Sequence, residues 1–536
     1  MRKSVLLGAA ASLAAVGLAA SGGGGTSPAT GDTSGAPQGR LTSDATFTYV
    51  LRADPGSLDR AKNGQSVLQE VLPFAYDKLV ASGPDNEMVP QLATKWDATP
   101  KRVTLTIRRG VTCSDGSAVT PSVIAEGFRA FQGPKAQVPV FGGQAEWSVK
   151  ADDAADTVTF AFARPVGFPL SALAEVPIVC GRGLKNRDLL RRGTSGSGPY
   201  VLTEAVSNDH YTFERRKGYA WGPDGAGTDE PGMPAKVVLR VVGEAATATN
   251  LLLAGEVDAA MVGPGDVKRV EGAGLGLLRQ LATNPQLMYN HADGHPTADP
   301  DVRRALTMSA DREAAAKVGG GEIGKSMVGA LTDPCRPADQ RAASAIPAFD
   351  VEAAAALLDR AGWVKGGDGV RAKDGKRLQI RVLTASGTSP EWRAANDLIA
   401  KAWRGLGADV TSRALTDNGL SSALAAGDWD VFSMVQVGAP TPALLLGNLS
   451  GPAFPDGANL LGMHNPEYER LAARALKTTP DSAACEIWGQ AEAALYEQAD
   501  VIPVLESDRV IAHAKNMAFA ADASGVIPTS IRIGEG

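Results

Sequence analysis

Threonines alternate with apolar residues over 46–51 (T-F-T-Y-V-L) and again over 103–107, where Val103, Leu105 and Ile107 carry the pattern. That period of two predicts a half-buried strand in each place. Between them Val67, Val71, Leu72, Ala75 and Leu79 fall on one helical face, predicting a helix over 65–79. Arg108-Arg109-Gly110 ends the second strand, Ser114-Asp115-Gly116 supplies turn chemistry, and a helix over 122–131 is capped near Thr120-Pro121. Strands are predicted over 158–162, 211–215, 237–242, 378–383 and 430–432, and a final one over 502–506. Val302, Ala305, Leu306 and Ser309 line one face of a helix over 299–312. Further helices are predicted over 350–362, closed by a Gly cap, and over 392–406 and 485–499.

At 536 residues the chain is too long for one core, so two or three domains are expected. A formal charge of −6 without Lys/Arg runs argues against nucleic acid and anionic lipid surfaces as partners. Arg2-Lys3 followed by apolar and small residues from Val5 to Ala20 reads as a secretion signal, too short for a membrane span. Leu18-Ala19-Ala20-Ser21-Gly22 has the form of a bacterial lipobox, but Ser21 stands where a thiol must carry the lipid. Either the chain is released by an ordinary signal peptidase or Ser21 is an engineered substitution, and both readings place the protein outside the cytoplasm. Residues 21–40 are Gly/Ser/Thr/Pro-rich and read as a flexible tether. Arg in excess of Lys, with much Ala and Gly, points to a GC-rich bacterial genome.

Two motifs are weighed and set aside. Gly319 to Ser326 (G-G-G-E-I-G-K-S) satisfies the phosphate-loop expression, but a helix-forming run precedes it where a buried strand is needed. It reads as a flexible surface loop. His291 and His295 lie in a Gly/Pro-broken stretch that denies them the spacing of a helical metal pair, so a solvated loop is expected. The sequence shows no G-x-S-x-G elbow and no H-E-x-x-H, so no catalytic, metal or cofactor site is assigned.

Several segments in order carry a resemblance. They are the strand 46–51 with Ser57-Leu58-Asp59 and Tyr76-Asp77-Lys78-Leu79, the run Val103 to Thr120, and G-S-G-P-Y-V-L from Gly196. The helix–Gly–Glu–strand run Thr247 to Val262, with Leu251, Leu252 and Leu253 as core, and Asp299 to Arg312 after Tyr289-Asn290 complete the series. Together they resemble family 5 extracytoplasmic solute-binding proteins, the dipeptide- and oligopeptide-binding components of ABC importers. Cys113 departs from the Phe or Trp usual in that family. The resemblance implies an α/β, bilobal periplasmic-binding-protein-like fold of the large oligopeptide-binding type, with an extra subdomain in the first lobe. It implies a signal peptide at 1–20, the tether at 21–40, and a first lobe from 41–86, 194–292 and 507–536. The additional subdomain then takes 87–193 and the second lobe 293–506. Four cysteines allow three pairings; an exported chain and these domains favour Cys113–Cys180 and Cys335–Cys485 over a metal site lacking C-x-x-C spacing.

What the resemblance implies for function is a monomer that closes on a peptide or peptide-like small molecule and hands it to ABC permease subunits. Its ligand segment would include Val435, Gln436, Val437, Gly438 and Ala439, with the valines offering backbone. Family members carry an aromatic residue and then an aspartate here for the peptide's ammonium; this chain has Gln436 and Gly438-Ala439, and no acid between Asp430 and Asp456. The expected ligand therefore departs from an ordinary free-amine peptide. Other cleft candidates are Ser57, Leu58, Trp147, and Thr384 to Thr388 with Trp392, core packing being the competing role for each tryptophan.

Overall fold

The computed structural model describes residues 32–33, 37, 39–83, 87–132, 140–141, 146–328, 334–335, 340–437, 441–454 and 456–535, with backbone alone at 32–33, 282–284, 340–341, 417–418 and 435–437. The signal peptide expected at 1–20 and most of the tether expected at 21–40 lie outside these residues. Where the tether is described it is tied down, which corrects the expectation of a free linker through residue 40. Asp32 and Thr33 pair antiparallel with Ala521 and Ala520, and Arg40 meets Glu535.

One twelve-stranded sheet runs through the molecule. Its principal strands are β1 (Thr46–Leu51), β2 (Tyr200–Val206), β3 (His210–Arg215), β4 (Lys236–Val241), β5 (Ala259–Val262) and β6 (Gly276–Tyr289). Then come β7 (Gln379–Ala385), β8 (Asp409–Leu415), β9 (Val431–Val437) and β10 (Leu505–His513). Their order is β8-β7-β9-β6-β10-β5-β1-β4-β3-β2. The sheet is continuous because β6 serves both halves. It pairs with β10 from Gly276 to Thr283 and with β9 from Thr283 to Tyr289, and its register to β10 shifts between Leu281 and Thr283.

β10 is the antiparallel return. The strand expected to end at Glu506 and close the chain runs on to His513, since Val510, Ile511 and Ala512 find partners in β5 on one side and β6 on the other. Residue 507, where the sequence placed the return to the first lobe, lies inside it. Short strands follow at Met517–Ala518, Ala520–Asp522, Gly525–Val526 and Arg532–Ile533.

Apolar side chains gather on either side of the crossover. Phe47, Leu51, Phe213, Val237 and Leu239 belong to a core on the β1–β4 side. Leu287, Leu306, Ile380, Trp403 and Trp429 belong to the core on the β7–β9 side. A separate four-stranded antiparallel sheet (Ala93–Thr99, Arg102–Ile107, Thr157–Phe162, Trp147–Asp152) has its own core around Val103, Leu105, Phe128 and Phe160. The architecture is bilobal, with an added layer on the first lobe.

Motif residues hold this scaffold together. The Asp77 carboxylate is fully buried and accepts from Ser197 Oγ (2.6 Å), Tyr219 OH (2.6 Å), Trp221 Nε1 (2.9 Å) and Gln91 Nε2 (3.0 Å). Asp59 is paired with Arg187 and accepts from Ala61 N at 3.2 Å. Arg303 reaches Asp500 at 3.0 Å and the Thr297 carbonyl at 3.0 Å. The helix expected over 65–79 stops at Ala75 because the G-S-G-P-Y segment lies against its end. Gly198 N donates to Ala75 O at 3.0 Å, and a β-carbon at 198 would stand 2.4 Å from the Ala75 carbonyl carbon. No side chain fits there. Both expected disulfides are formed, Cys113–Cys180 in the added layer and Cys335–Cys485 on the second lobe.

Candidate ligand cleft

Strand direction places the site. β1 runs parallel to β4 and β5 toward the crossover, and its carboxyl end leads into the turn 52–59. In the second lobe β7 is parallel to both β8 and β9, and β9 runs from Val431, opposite Tyr289, to Val437, opposite Thr283 at the crossover. The carboxyl ends of both sets therefore face one another across β6 and β10. The chain leaves β7 to β8 on one side and returns to β9 on the other, so the strand order reverses at β7. Crevices beyond carboxyl ends at such a reversal are where open α/β sheets hold ligands.

On the first-lobe side the turn is prebuilt. Asp54 accepts from Gly56 N at 2.6 Å and from Tyr211 OH at 3.1 Å. Asn63 Nδ2 donates to the carbonyls of Pro55 (2.7 Å) and Ser57 (2.6 Å). Ser57 Oγ accepts from Asp59 N at 3.3 Å, so both Ser57 oxygens are engaged, and Leu58 is buried in the first-lobe core.

On the second-lobe side the helix Pro390–Leu406 points its amino end at the carboxyl end of β7. Ser389 Oγ accepts from Trp392 N at 3.1 Å and caps it. Thr388 Oγ1 donates to Ala385 O at 3.0 Å. Trp392 is buried in the second-lobe core, yet its Nε1–H has no partner. One turn along, Asn396 Oδ1 accepts from Ser433 Oγ of β9 at 2.7 Å while Asn396 Nδ2 is buried without a partner. The parallel register pairs Leu383 with Phe432, which puts Thr384 beside Ser433 on the same face, and Thr384 Oγ1 is likewise buried and unpartnered. Such atoms cost about 1–3 kcal/mol each when left unsatisfied. Three of them lie on the elements that meet at the strand-order reversal, where a ligand or water can satisfy them.

Placement of the remaining candidates is plain. Val435, Gln436 and Val437 form the carboxyl end of β9, paired through Pro285, Asn284 and Thr283, with their side chains outside the described residues. Gly438 and Ala439 also lie outside them. Trp147 belongs to the added layer, edge-on to Phe128 and Phe141 at centroid distances of 6.4 and 5.4 Å. Asn396 was missed from sequence. Its signal was an Asn four residues after Trp392 on a helix face that otherwise reads as core.

Both set-aside motifs are more ordered than expected. Glu506 accepts from the amides of Lys325 (3.0 Å) and Ser326 (3.2 Å), and Glu492 from Met327 N at 2.6 Å, so carboxylates already take those N–H groups. Glu322–Ile323 pairs with β10. That corrects the flexible loop. His295 Nδ1 lies 2.8 Å from Asp430 Oδ1, and His291 is 9% exposed at 3.7 Å from Asp500. Burial, with Arg303 nearby, pushes the His291 ring down to about 3. Both rings turn inward, which corrects the solvated loop. Among the described residues no cluster of three or more His, Cys, Asp or Glu is placed to hold a metal ion, and no helix is long and apolar enough to cross a membrane.

Comparisons with known proteins agree with this geometry. Protein XP55 of Streptomyces lividans is 28% identical over 334 residues, 58% of this chain and 57% of that one. The periplasmic murein peptide-binding protein MppA of Escherichia coli is 24% identical over 498 residues, 85% and 86% of the two chains. A crystallised substrate binding protein from Microbacterium hydrocarbonoxydans, complexed with 4-hydroxybenzoate hydrazide, superposes with a TM-score of 0.71 at 28% identity over 91% of this chain and 100% of that one. The profile of the bacterial extracellular solute-binding proteins, family 5, matches residues 87–452, and the chain belongs to that family.

Proposed function

We propose that the protein captures a peptide or peptide-like solute between its lobes by hinge closure and delivers it to an ABC permease. One observation carries this reading: two sets of parallel strands present their carboxyl ends to each other across the crossover strands β6 and β10. A register shift between Leu281 and Thr283 gives the hinge a physical locus. A ligand touching both lobes favours the closed state by the contacts it gains there. The murein peptide bound by MppA supports a peptide-like ligand. The moving bodies are the lobes on either side of that crossover in β6 and β10, the protein works as a monomer, and it catalyses nothing. It acts outside the cytoplasm without a thioether lipid, since Ser21 offers no thiol.

A second reading has its own support. No carboxylate lies between Asp430 and Asp456, and the related protein from Microbacterium was crystallised with a hydrazide. A non-peptide or N-blocked ligand, with a sensing or biosynthetic role, fits both facts. Small-angle scattering and thermal unfolding of the mature chain against di- to decapeptides, N-acetylated peptides, aromatic hydrazides and Ni²⁺ chelates test the two together. A binding solute compacts the protein and raises the midpoint, by about 2.7 kcal/mol of stabilisation at a hundred times its dissociation constant. Compaction with free-amine peptides supports the first reading, and compaction only with blocked or non-peptide solutes supports the second. Silence across the panel overturns solute binding itself.

A further inference from the structure

We infer that the end of β7, Ser433 in the first half of β9 and the first turns of the helix Pro390–Leu406 form an uncharged, donor-rich recess that takes a neutral carbonyl group of the ligand. The inference rests on the solute-binding reading and adds the chemistry that the cleft recognises. Trp392 Nε1 only donates. Asn396 has its oxygen committed to Ser433, which fixes the amide and leaves two N–H groups unused. Thr384 Oγ1 adds a hydroxyl that is free to donate. Asn396 lies on Ser433, the register sets Thr384 beside Ser433, and Trp392 stands one helical turn before Asn396. Asn396, Thr384 and Trp392 each carry unsatisfied hydrogens, and none of the four residues is ionisable.

That composition selects. An ammonium placed there meets other donors and finds no carboxylate, so it stays desolvated and unpaired. A carboxylate finds donors but no counter-charge among these residues. An amide or hydrazide carbonyl accepts from them without charge burial, and closure removes the competing water. Trp392 is 3% exposed, so its hydrogen bond is formed in a dry surrounding where a missing partner is most costly. Ser433 is a positioning residue: it holds Asn396 and leaves the ligand to the amide.

The test uses two tripeptides that differ at their ends, trialanine and N-acetyl-trialanine amide, with the full mature chain labelled with ¹⁵N. The Trp392 indole N–H signal is identified by its loss in Trp392→Phe. The blocked peptide is expected to bind at least about tenfold tighter than trialanine and to move that signal. Asn396→Asp keeps the shape and the Ser433 contact while replacing two donors by a charge, and is expected to invert the preference. The inference is overturned if trialanine binds the native chain as well or better. It is also overturned if any solute closes the protein while the Trp392 signal stays in place and Asn396→Asp changes nothing, an outcome that keeps the solute-binding reading. Conversely, N-methylacetamide that shifts the Trp392 signal saturably in a chain that no peptide closes keeps the recess and overturns peptide capture. Silence to peptide and amide alike overturns both.

Discussion

Gly167, on the added layer of the first lobe, stands so close to Ala443 of the second that a β-carbon at 167 would lie 2.8 Å from the Ala443 Cβ. The neighbouring Phe168 is 2% exposed and packs into the second-lobe core, although it belongs to the segment that follows the strand Thr157–Phe162. Its φ is +50°, a left-handed backbone that costs a bulky side chain about 1–2 kcal/mol. Burying the ring outweighs this.

Gly167→Ala is therefore expected to wedge the lobes apart. The Ala443 methyl has no rotamer to yield, so the lobes themselves must move by a few tenths of an ångström or more. The radius of gyration without ligand should rise, and affinity for any ligand that needs closure should fall. Phe168→Ala should act the same way and cost about 3 kcal/mol of stability. Scattering curves identical to those of the native chain for both variants would show that this contact does not set the lobe separation.

Asp77→Asn should be severely destabilising. Four donors converge on its two oxygens, and the substituted amide turns one acceptor into a donor that faces two of them. About 2–4 kcal/mol is expected, read as a lowered midpoint in urea. A loss under 1 kcal/mol, on the order of a surface change, would mean that the network rearranges.

The two disulfides close loops of 67 and 150 residues. The chain-entropy relation gives about 4–5 kcal/mol for each, with little difference between them. Replacing Cys335 and Cys485 together by Ser should lower the unfolding midpoint, and the corresponding Cys113/Cys180 pair should do so to a similar degree. A midpoint unchanged by either double substitution would contradict the entropic account.

Acid should weaken the fold through His291. Its unfolded ring titrates near 6.5, and the folded one is held down to about 3 by burial and by Arg303. The unfolded state therefore binds the proton first. Stability is fully present above pH of about 6.5 and is lost as the pH falls toward 3, by up to about 1.4 kcal/mol per unit. His291→Asn should flatten that part of the stability–pH curve. Equal slopes for the two proteins would remove His291 as the cause.

Local pattern and tertiary contact divide the account of this protein between them. Period-two alternation was enough to mark β1 with its bounds, since a half-buried strand must place every second side chain inside. Capping chemistry marked the helix start near Thr120, which accepts from Val123 N at 3.3 Å. The ordered motifs that carried the family resemblance proved to be scaffold: Asp59, Asp77 and Arg303 spend their charges on buried partners. What the sequence by itself determined was thus most of the elements and the family, because each depends on short-range pattern or on residues that must recur together to hold the lobes; among the three possible cysteine pairings it favoured the one the structure forms. Only the tertiary structure decided that the helix begun at Ser66 ends at Ala75, that β10 continues to His513, and that the histidines near 291 face inward. It alone brought Asn396 to Ser433 across 37 residues and left donors open beside them, since an unsatisfied hydrogen bond is a property of what surrounds an atom and of no residue read singly.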